Sequence, residues 1–185
     1  ILAATDGGLV IIDPQTKPVS FRVFDSKNGL PDNIVKVMGV LPDNTILLGF
    51  HQMGIAVFDM NSYQFKSIDK AKDWTFGAVN CITKLQNEFW LGTDGNGIVD
   101  YEFSGDKRIR NFFDKAGFPF KKVNALLKDM EGNVWVAADH KLIISIGEQV
   151  ELLDEVGELN FDSLQAIIAG RDGYLWFSNP KGLFR

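Results

Sequence analysis

The sequence is poor in the residue types that build most covalent and metal-dependent catalytic sites. Its 185 residues include a single cysteine, Cys81, and two histidines, His51 and His140. One cysteine excludes an intrachain disulfide, and two histidines with scattered carboxylates are a weak basis for a metal site. No Gly-x-Ser-x-Gly nucleophile elbow occurs either. We therefore predict no catalytic residue, no metal ion and no cofactor for this chain.

Positive charge is also scarce. The chain has 19 Lys and Arg against 24 Asp and Glu, which gives a formal net charge of -5. The pairs Lys107-Arg108 and Lys121-Lys122 are too short to follow a phosphate backbone, so we predict no nucleic-acid partner. No apolar run approaches the roughly 18 residues that a membrane-spanning helix needs. We also find no signal peptide at Ile1.

A sustained helical period is missing as well, and what the sequence contains instead is a repeat. Trp90, Trp135 and Trp176 lie in similar strand-like segments, and Leu2 and Leu47 take the equivalent position in two weaker copies. The spacings between these five positions are 45, 43, 45 and 41 residues. A period in this range, with several short strands in each copy, is typical of β-propeller blades.

The repeat predicts an all-β propeller fragment of four-stranded antiparallel blades, with about three full blades and a partial blade at each end. We place the approximate repeats at residues 1–32, 33–76, 77–120, 121–161 and 162–185, in a single propeller region over 1–185. In the first full blade, strands are predicted at residues 35–41, 45–49, 54–58 and 64–68. Both ends interrupt a repeat, so we expect the chain to be part of a larger ectodomain.

Residues that recur in each repeat are interpreted first as structural, because they maintain the fold of the blade. Cys81 aligns with Val37, Ala125 and Ala166, a site that repeatedly holds a small apolar residue. We therefore predict that Cys81 packs in the core and is neither a nucleophile nor a ligand. The segment Asp129 to Asn133 superficially resembles a calcium loop, but its glycine is misplaced and a hairpin turn is predicted instead.

Several segments together resemble the two-component regulator propeller repeat. They are residues 29–34 (Gly-Leu-Pro-Asp-Asn-Ile), residues 89–98 around Trp90, and residues 129–135 ending at Trp135. Departures from the pattern are Leu47 in place of Trp and Lys141 in place of Gly, which blur blade boundaries without changing the fold.

The resemblance implies a function for the longer protein. Members of this family are typically hybrid sensor histidine kinases of Bacteroidetes-like bacteria, whose propellers lie in the periplasm and sense glycan breakdown products. The resemblance thus implies a periplasmic ligand-sensing ectodomain of an inner-membrane protein, covalently linked to downstream kinase modules. Those modules and the membrane helix are not in this sequence, so no kinase chemistry is assigned to it.

Ligand-binding residues are expected in two classes of loop that share one rim of a propeller. The residues singled out there are His51, Trp74, Asp94, Asn96, Phe118, His140 and Asn179. Aromatic rings that stack on sugar faces, beside amides and carboxylates that bond hydroxyls, favour an oligosaccharide ligand. The alternative is structural: the aromatics fill gaps between blades, and Asp and Asn form turns.

Two other function classes stay open. The first is a propeller enzyme, a metal-assisted lyase or lactonase that uses His51 or His140 with Asp94. The second is a protein–protein interaction propeller. Because partial blades expose strand edges, we also expect a homo-oligomer or edge-strand pairing.

Overall fold

The computed structural model describes residues 1–68, 75–103, 109–111, 120–146, 149–153 and 163–185. Within these ranges the chain forms eighteen β-strands and one short 3-10 turn, arranged in five antiparallel sheets. None of the described segments forms a helix that is long and apolar enough to cross a bilayer.

The strands follow one another along the chain, sheet by sheet. The first sheet contains β1 (Leu2–Thr5), β2 (Gly8–Asp13) and β3 (Ser20–Phe24), and the 3-10 turn at Ser26–Asn28 follows it. The second contains β4 (Val35–Val40), β5 (Ile46–Phe50), β6 (Ile55–Asp59) and β7 (Gln64–Ser67). The third contains β8 (Val79–Lys84), β9 (Glu88–Thr93), β10 (Ile98–Glu102) and β11 (Ile109–Asn111). The fourth contains β12 (Val123–Lys128), β13 (Val134–Ala138), β14 (Lys141–Ile146) and β15 (Gln149–Leu153). The fifth contains β16 (Ala166–Ala169), β17 (Leu175–Asn179) and β18 (Gly182–Phe184).

Each sheet is a simple meander, because neighbouring strands in the sheet are also neighbours in sequence. Among the described residues, three sheets have four strands, and the first and last have three. Each sheet also lies inside one of the five sequence repeats. The predicted all-β fold, with full blades flanked by partial ones, is therefore confirmed.

The chain divides into two compact units, Ile1–Val79 and Asn80–Arg185. The first unit holds the first two sheets and the opening residue of β8. The second holds the rest of the third sheet and the last two sheets.

Two glycines of inner strands lie where a side chain would have no room. In the first unit, a side chain on Gly49 would collide with Val37 and Val79. In the second unit, a side chain on Gly92 would collide with the thiol of Cys81 and with Val123. Cys81 is half-buried and packs against a core cluster of the second unit, which confirms its predicted packing role.

Each unit has its own apolar core. The core of the first unit combines side chains from the first two sheets and from the connection between them: Leu9, Phe24, Leu30, Val35, Ile46, Leu48, Phe50, Ala56 and Phe58. In the second unit, one cluster is centred on Trp90 and Val123, and another on Ala137 and Leu164. Apolar side chains on both faces of the strands explain why the sequence shows continuous apolar runs there.

The β12–β13 hairpin is closed by a carboxylate at the start of its turn. Asp129 accepts hydrogen bonds from the backbone N–H of Asn133 at 2.7 Å and from the indole N–H of Trp135 at 2.9 Å. Trp90 makes a comparable bond to Glu88 Oε1 at 2.8 Å. The hairpin turn predicted for residues 129–133 is confirmed, and Trp135 fastens it through Asp129, whereas Trp90 bonds to the first residue of its own strand.

This hairpin is expected to make stability depend on pH in the acid range. Partial burial raises the pKa of Asp129, but the bonds from Trp135, Asn133 and the backbone outweigh it and hold the pKa below its ordinary value of 3.8. A lowered folded-state pKa contributes stability that is complete above the unfolded pKa and is lost as the pH falls through the folded one. Asp129→Asn should therefore be less stable than the native chain at pH 7, and the difference should shrink at pH 3.

Urea unfolding at the two pH values measures this effect. Glu131→Gln, which changes an exposed carboxylate in the same turn, is the matched control and should leave the difference between pH 7 and pH 3 unchanged. An Asp129→Asn variant with the native pH dependence would show that the Asp129 bonds do not stabilise the folded state.

Candidate functional site

Three loop segments of the second unit are joined at one place by main-chain hydrogen bonds. They are the β9–β10 loop (residues 94–97), the β13–β14 turn (residues 139–140), and Lys121 and Lys122, which precede β12. We call Lys121 and Lys122 the clasp. The Lys121 carbonyl accepts from Gly95 N at 3.0 Å and from Gly97 N at 2.6 Å. The clasp thus holds the β9–β10 loop.

The clasp also holds the β13–β14 turn. The N–H of Asp139 donates to the Lys122 carbonyl at 2.8 Å, and the N–H of Lys121 donates to Asp139 Oδ2 at 3.2 Å. Asp139 adopts a positive φ of 48°, a conformation that Asp tolerates better than most residues. Two sheets of the second unit are therefore tied together through the two clasp residues.

The local sequence explains why the β9–β10 loop can bend back to the clasp. Gly95 and Gly97 have φ values of 135° and 65°, which residues with a side chain rarely adopt. Between them, Asn96 donates its N–H to the hydroxyl of Thr93 at 3.2 Å. The Thr93 side chain is fully buried and donates in turn to the Gly97 carbonyl at 2.9 Å. The loop is thus ordered from inside while its outer side chains face solvent.

Five side chains gather on this ordered backbone, and we call them the rim cluster: Asp94, Asn96, Lys121, Lys122 and His140. Asp94 and Lys122 form an ion pair with 3.8 Å between Oδ1 and Nζ, and each side chain is about half exposed. Lys121 and His140 are exposed, and Asn96 is half-buried. The cluster offers a carboxylate, an amide, an imidazole and two ammonium groups, a set suited to hydrogen-bonding a polar ligand.

Three of the seven predicted ligand residues, Asp94, Asn96 and His140, thus come together in the second unit. His51 lies in the first unit, where it is exposed and donates its N–H to the Ile34 carbonyl at 3.1 Å. The neighbouring Gln52 N–H donates to Asp32 Oδ2 at 2.8 Å. The β5–β6 loop that carries His51 is therefore hydrogen-bonded to residues 32–34, which lie directly before β4. Lys121 and Lys122 of the clasp likewise lie directly before β12.

The other three predicted residues have different outcomes. Asn179 is buried at the end of β17, and its Oδ1 accepts from the N–H of Lys181 at 2.8 Å, so its side chain stabilises the β17–β18 turn. Trp74 and Phe118 lie outside the described residues. The described part of the chain contains no group of three His, Cys, Asp or Glu side chains that could hold a metal ion.

The sequence pattern does not single out the clasp. Lys121 and Lys122 attract attention only as a short basic pair, and their structural role is carried by carbonyl and N–H groups that every residue possesses. Their one sequence signal is their position, directly before the first strand of a repeat. Asp139 is similarly inconspicuous, because its αL conformation is not encoded by a glycine.

Known structures place this fold among β-propellers. The extracellular domain of BT4673 from B. thetaiotaomicron, described as a one-component or hybrid two-component system, superposes with a TM-score of 0.79 at 18% identity over 98% of this chain and 25% of its own. The extracellular domain of BT3049, from the same organism and described as a hybrid two-component system, gives a TM-score of 0.57 at 18% identity over 96% of this chain and 29% of its own.

A propeller of a different kind is also similar. The β-propeller domain of Cps50 (Swd1) from Myceliophteria thermophila gives a TM-score of 0.65 at 12% identity over 99% of this chain and 65% of its own. No protein-family model and no curated protein matches the chain. The chain spans about a quarter of the length of the two extracellular domains. These similarities establish a β-propeller fragment.

Proposed function

We propose that this β-propeller segment belongs to the extracytoplasmic, ligand-sensing part of a hybrid two-component sensor in the periplasm. Its similarity in fold to two bacterial extracellular domains supports this proposal. The repeat that resembles the two-component regulator propeller supports it independently. Because the chain spans only a quarter of those domains, relay of the signal to a histidine kinase is proposed for the longer protein and not for this segment.

The ligand proposed for this segment is an oligosaccharide bound at the rim cluster. The observation that carries the proposal is the clasp, which holds Asp94, Asn96 and His140 on backbone already fixed by hydrogen bonds. Preorganised polar groups bind without a further ordering cost, which is what recognition of a strongly hydrated sugar requires. His51, Trp74 and Phe118 stay proposed ligand-binding residues on the sequence pattern alone.

Binding produces a signal only when the ligand prefers one of two states of the sensor. In this proposal, the clasp is the coupling element, since it joins the loops of two sheets in the second unit. A ligand that contacts both loops would favour the arrangement in which the clasp bonds are intact. The non-catalytic role proposed here leaves the chemistry of signalling to the downstream modules.

Calorimetric titration with a broad panel of neutral and charged oligosaccharides tests the proposal. We expect at least one glycan to bind, and His140→Ala to weaken it about tenfold because that side chain is exposed and contributes to no core. Glu131→Ala, at the opposite end of the same sheet and also exposed, is the control and should bind normally. Absence of binding across the panel, or equal affinities of the native chain and His140→Ala, would contradict the proposed site.

A further inference from the structure

The first sheet presents an apolar face outside the core of the first unit. Cross-strand partners in an antiparallel sheet point to the same side, so the register assigns each side chain to a face. One face packs into the core through Leu9 and Phe24. The opposite face, which we call the leading face, contains apolar side chains from all three strands: Ile1, Ala3, Val10, Ile12, Phe21 and Val23. Ile1 and Phe21 are the most exposed of them.

The last sheet presents a largely apolar face outside the core of the second unit. Its core side holds Ile167 and Phe177. The other side, which we call the trailing face, contains Ala166, Ile168, Trp176, Ser178 and Leu183. Ile168 and Leu183 are exposed. Single exposed apolar side chains are ordinary, but a contiguous set that extends across a whole sheet marks an interaction surface.

The repeat shows what kind of surface covers the leading face. Aligning Leu2 with Leu47 gives each residue of the leading face an equivalent in the second sheet. These equivalents are Ile46, Leu48, Ala56, Phe58, Phe65 and Ser67. Apart from Ser67, they all pack in the core cluster that the second sheet forms with the first. Ile46 is 5% exposed, whereas its equivalent Ile1 is 73% exposed. The leading face is therefore of the type that packs against the preceding sheet of the repeat.

The same comparison shows what kind of surface covers the trailing face. Aligning Trp176 with Trp135 gives its residues equivalents in the fourth sheet. These equivalents are Ala125, Leu127, Trp135, Ala137 and Leu142. All of them pack in the core cluster that also contains Phe177 of the last sheet. Leu142 is 2% exposed, whereas its equivalent Leu183 is 64% exposed. The trailing face is therefore of the type that packs against the following sheet.

From these two correspondences we infer that copies of this chain associate head to tail, with the trailing face of one copy packed against the leading face of the next. The contact continues, between copies, the sheet-on-sheet packing that already exists inside each unit. It is heterologous, because two different surfaces meet, so each end of a dimer still presents a free face. Further copies can add until the assembly closes into a ring. This association is independent of ligand binding at the rim cluster.

Sedimentation velocity of the chain over a wide range of concentrations tests the inference. The native chain should form dimers and larger species as its concentration rises. Phe21→Glu blocks the leading face and Leu183→Glu the trailing face, because each would bury a carboxylate in an apolar contact. Each variant alone should stay monomeric at concentrations at least about tenfold above those at which the native chain associates. Met130→Glu changes a 90% exposed side chain in the β12–β13 turn, outside both faces, and should associate like the native chain.

Mixing the two variants distinguishes head-to-tail packing from other modes of association. Phe21→Glu retains its trailing face and Leu183→Glu its leading face, so an equimolar mixture should form dimers that do not grow further. Pairing of one face with itself would leave one variant able to dimerise alone, and pairing of strand edges would persist in both variants. Either of these results overturns the inference. A mixture that stays monomeric, or a native chain that stays monomeric over the whole range, overturns it as well.

A second pair of variants guards against misfolding. The side chains of Phe21 and Leu183 are exposed, so their replacement should leave the fold intact, and circular dichroism of each variant checks this. Val23→Lys and Ile168→Lys place the opposite charge on the same two faces, at positions that are also exposed. They should behave alone and in mixture as the first pair does, and they decide by the same criteria if a variant of the first pair does not fold.

Discussion

Replacing Gly92 with alanine is expected to destabilise the second unit by about 1–3 kcal/mol, although the change adds only one methyl group. That methyl would lie against the thiol of Cys81, 2.6 Å from Val123 Cγ1 and 3.0 Å from Val123 Cβ. Core atoms cannot approach so closely, so β9 and the neighbouring sheet would have to separate. A loss of stability would point to the close packing as its cause, because alanine in a strand is otherwise favoured over glycine by roughly 0.5–1 kcal/mol.

Urea unfolding followed by circular dichroism measures the effect. Gly7→Ala is the matched control, since its new methyl group would meet only Thr5 Oγ1 at 3.8 Å, and its stability should be close to native. A second variant tests the cause: adding Val123→Ala to Gly92→Ala should cost less than the two single changes together, because it frees the space that the new methyl occupies. Native stability of Gly92→Ala would show that the sheets do not pack as closely as described.

The same glycine shows how far a repeat can predict a fold. The sequence places Gly49 and Gly92 at one recurring small position, and in the structure a side chain at either position would collide with neighbouring valines. Strand ends are predicted less well. The second strand of the first full blade is predicted at residues 45–49 and lies at Ile46–Phe50. A hydrogen bond from Phe50 N to the Gly54 carbonyl extends the strand pairing by one residue. This backbone bond cannot be predicted from the pattern of side chains.

The candidate site is predicted in part. The sequence correctly locates Asp94, Asn96 and His140 in loops, because turn residues mark the ends of strands. It does not reveal the clasp, whose bonds join residues that are far apart in sequence, mostly through their backbone groups. It also treats Asn179 like the other loop amides, whereas burial and the bond from Lys181 N assign that side chain to its own turn.

Self-association through strand edges stays a prediction, and the first and last sheets also expose apolar side chains. Alternate side chains of β3, Phe21 and Val23, are exposed although they are apolar. In the last sheet, Ile168 and Leu183 are exposed in the same way. Leu127 takes the position of Ile168 in the preceding sheet. It is half-buried and packs against the core cluster that contains Ala137 and Leu164. Apolar sheet faces of this kind are the surfaces through which another sheet would bind.

Truncating Phe58 to alanine is expected to have the largest effect on the first unit. The side chain is fully buried, and its ring centroid lies 5.2 Å from that of Phe24 and 4.8 Å from that of Phe65. Phe24 comes from the first sheet and Phe65 from the second, so the ring of Phe58 fills the space where the two sheets meet. Removing it forfeits burial and leaves a cavity, at a cost of about 3–5 kcal/mol.

A loss of this size is a large fraction of the roughly 5–15 kcal/mol that stabilises a typical domain. Phe58→Ala should therefore lower the urea midpoint clearly and accelerate amide exchange in β5 and β6. Phe21→Ala removes the same atoms from a side chain that is 72% exposed, and its stability should change by less than about 0.5 kcal/mol. Phe58→Leu, which retains most of the buried volume, should fall between the native chain and Phe58→Ala. Similar losses for Phe58→Ala and Phe21→Ala would mean that the aromatic cluster does not join the first two sheets.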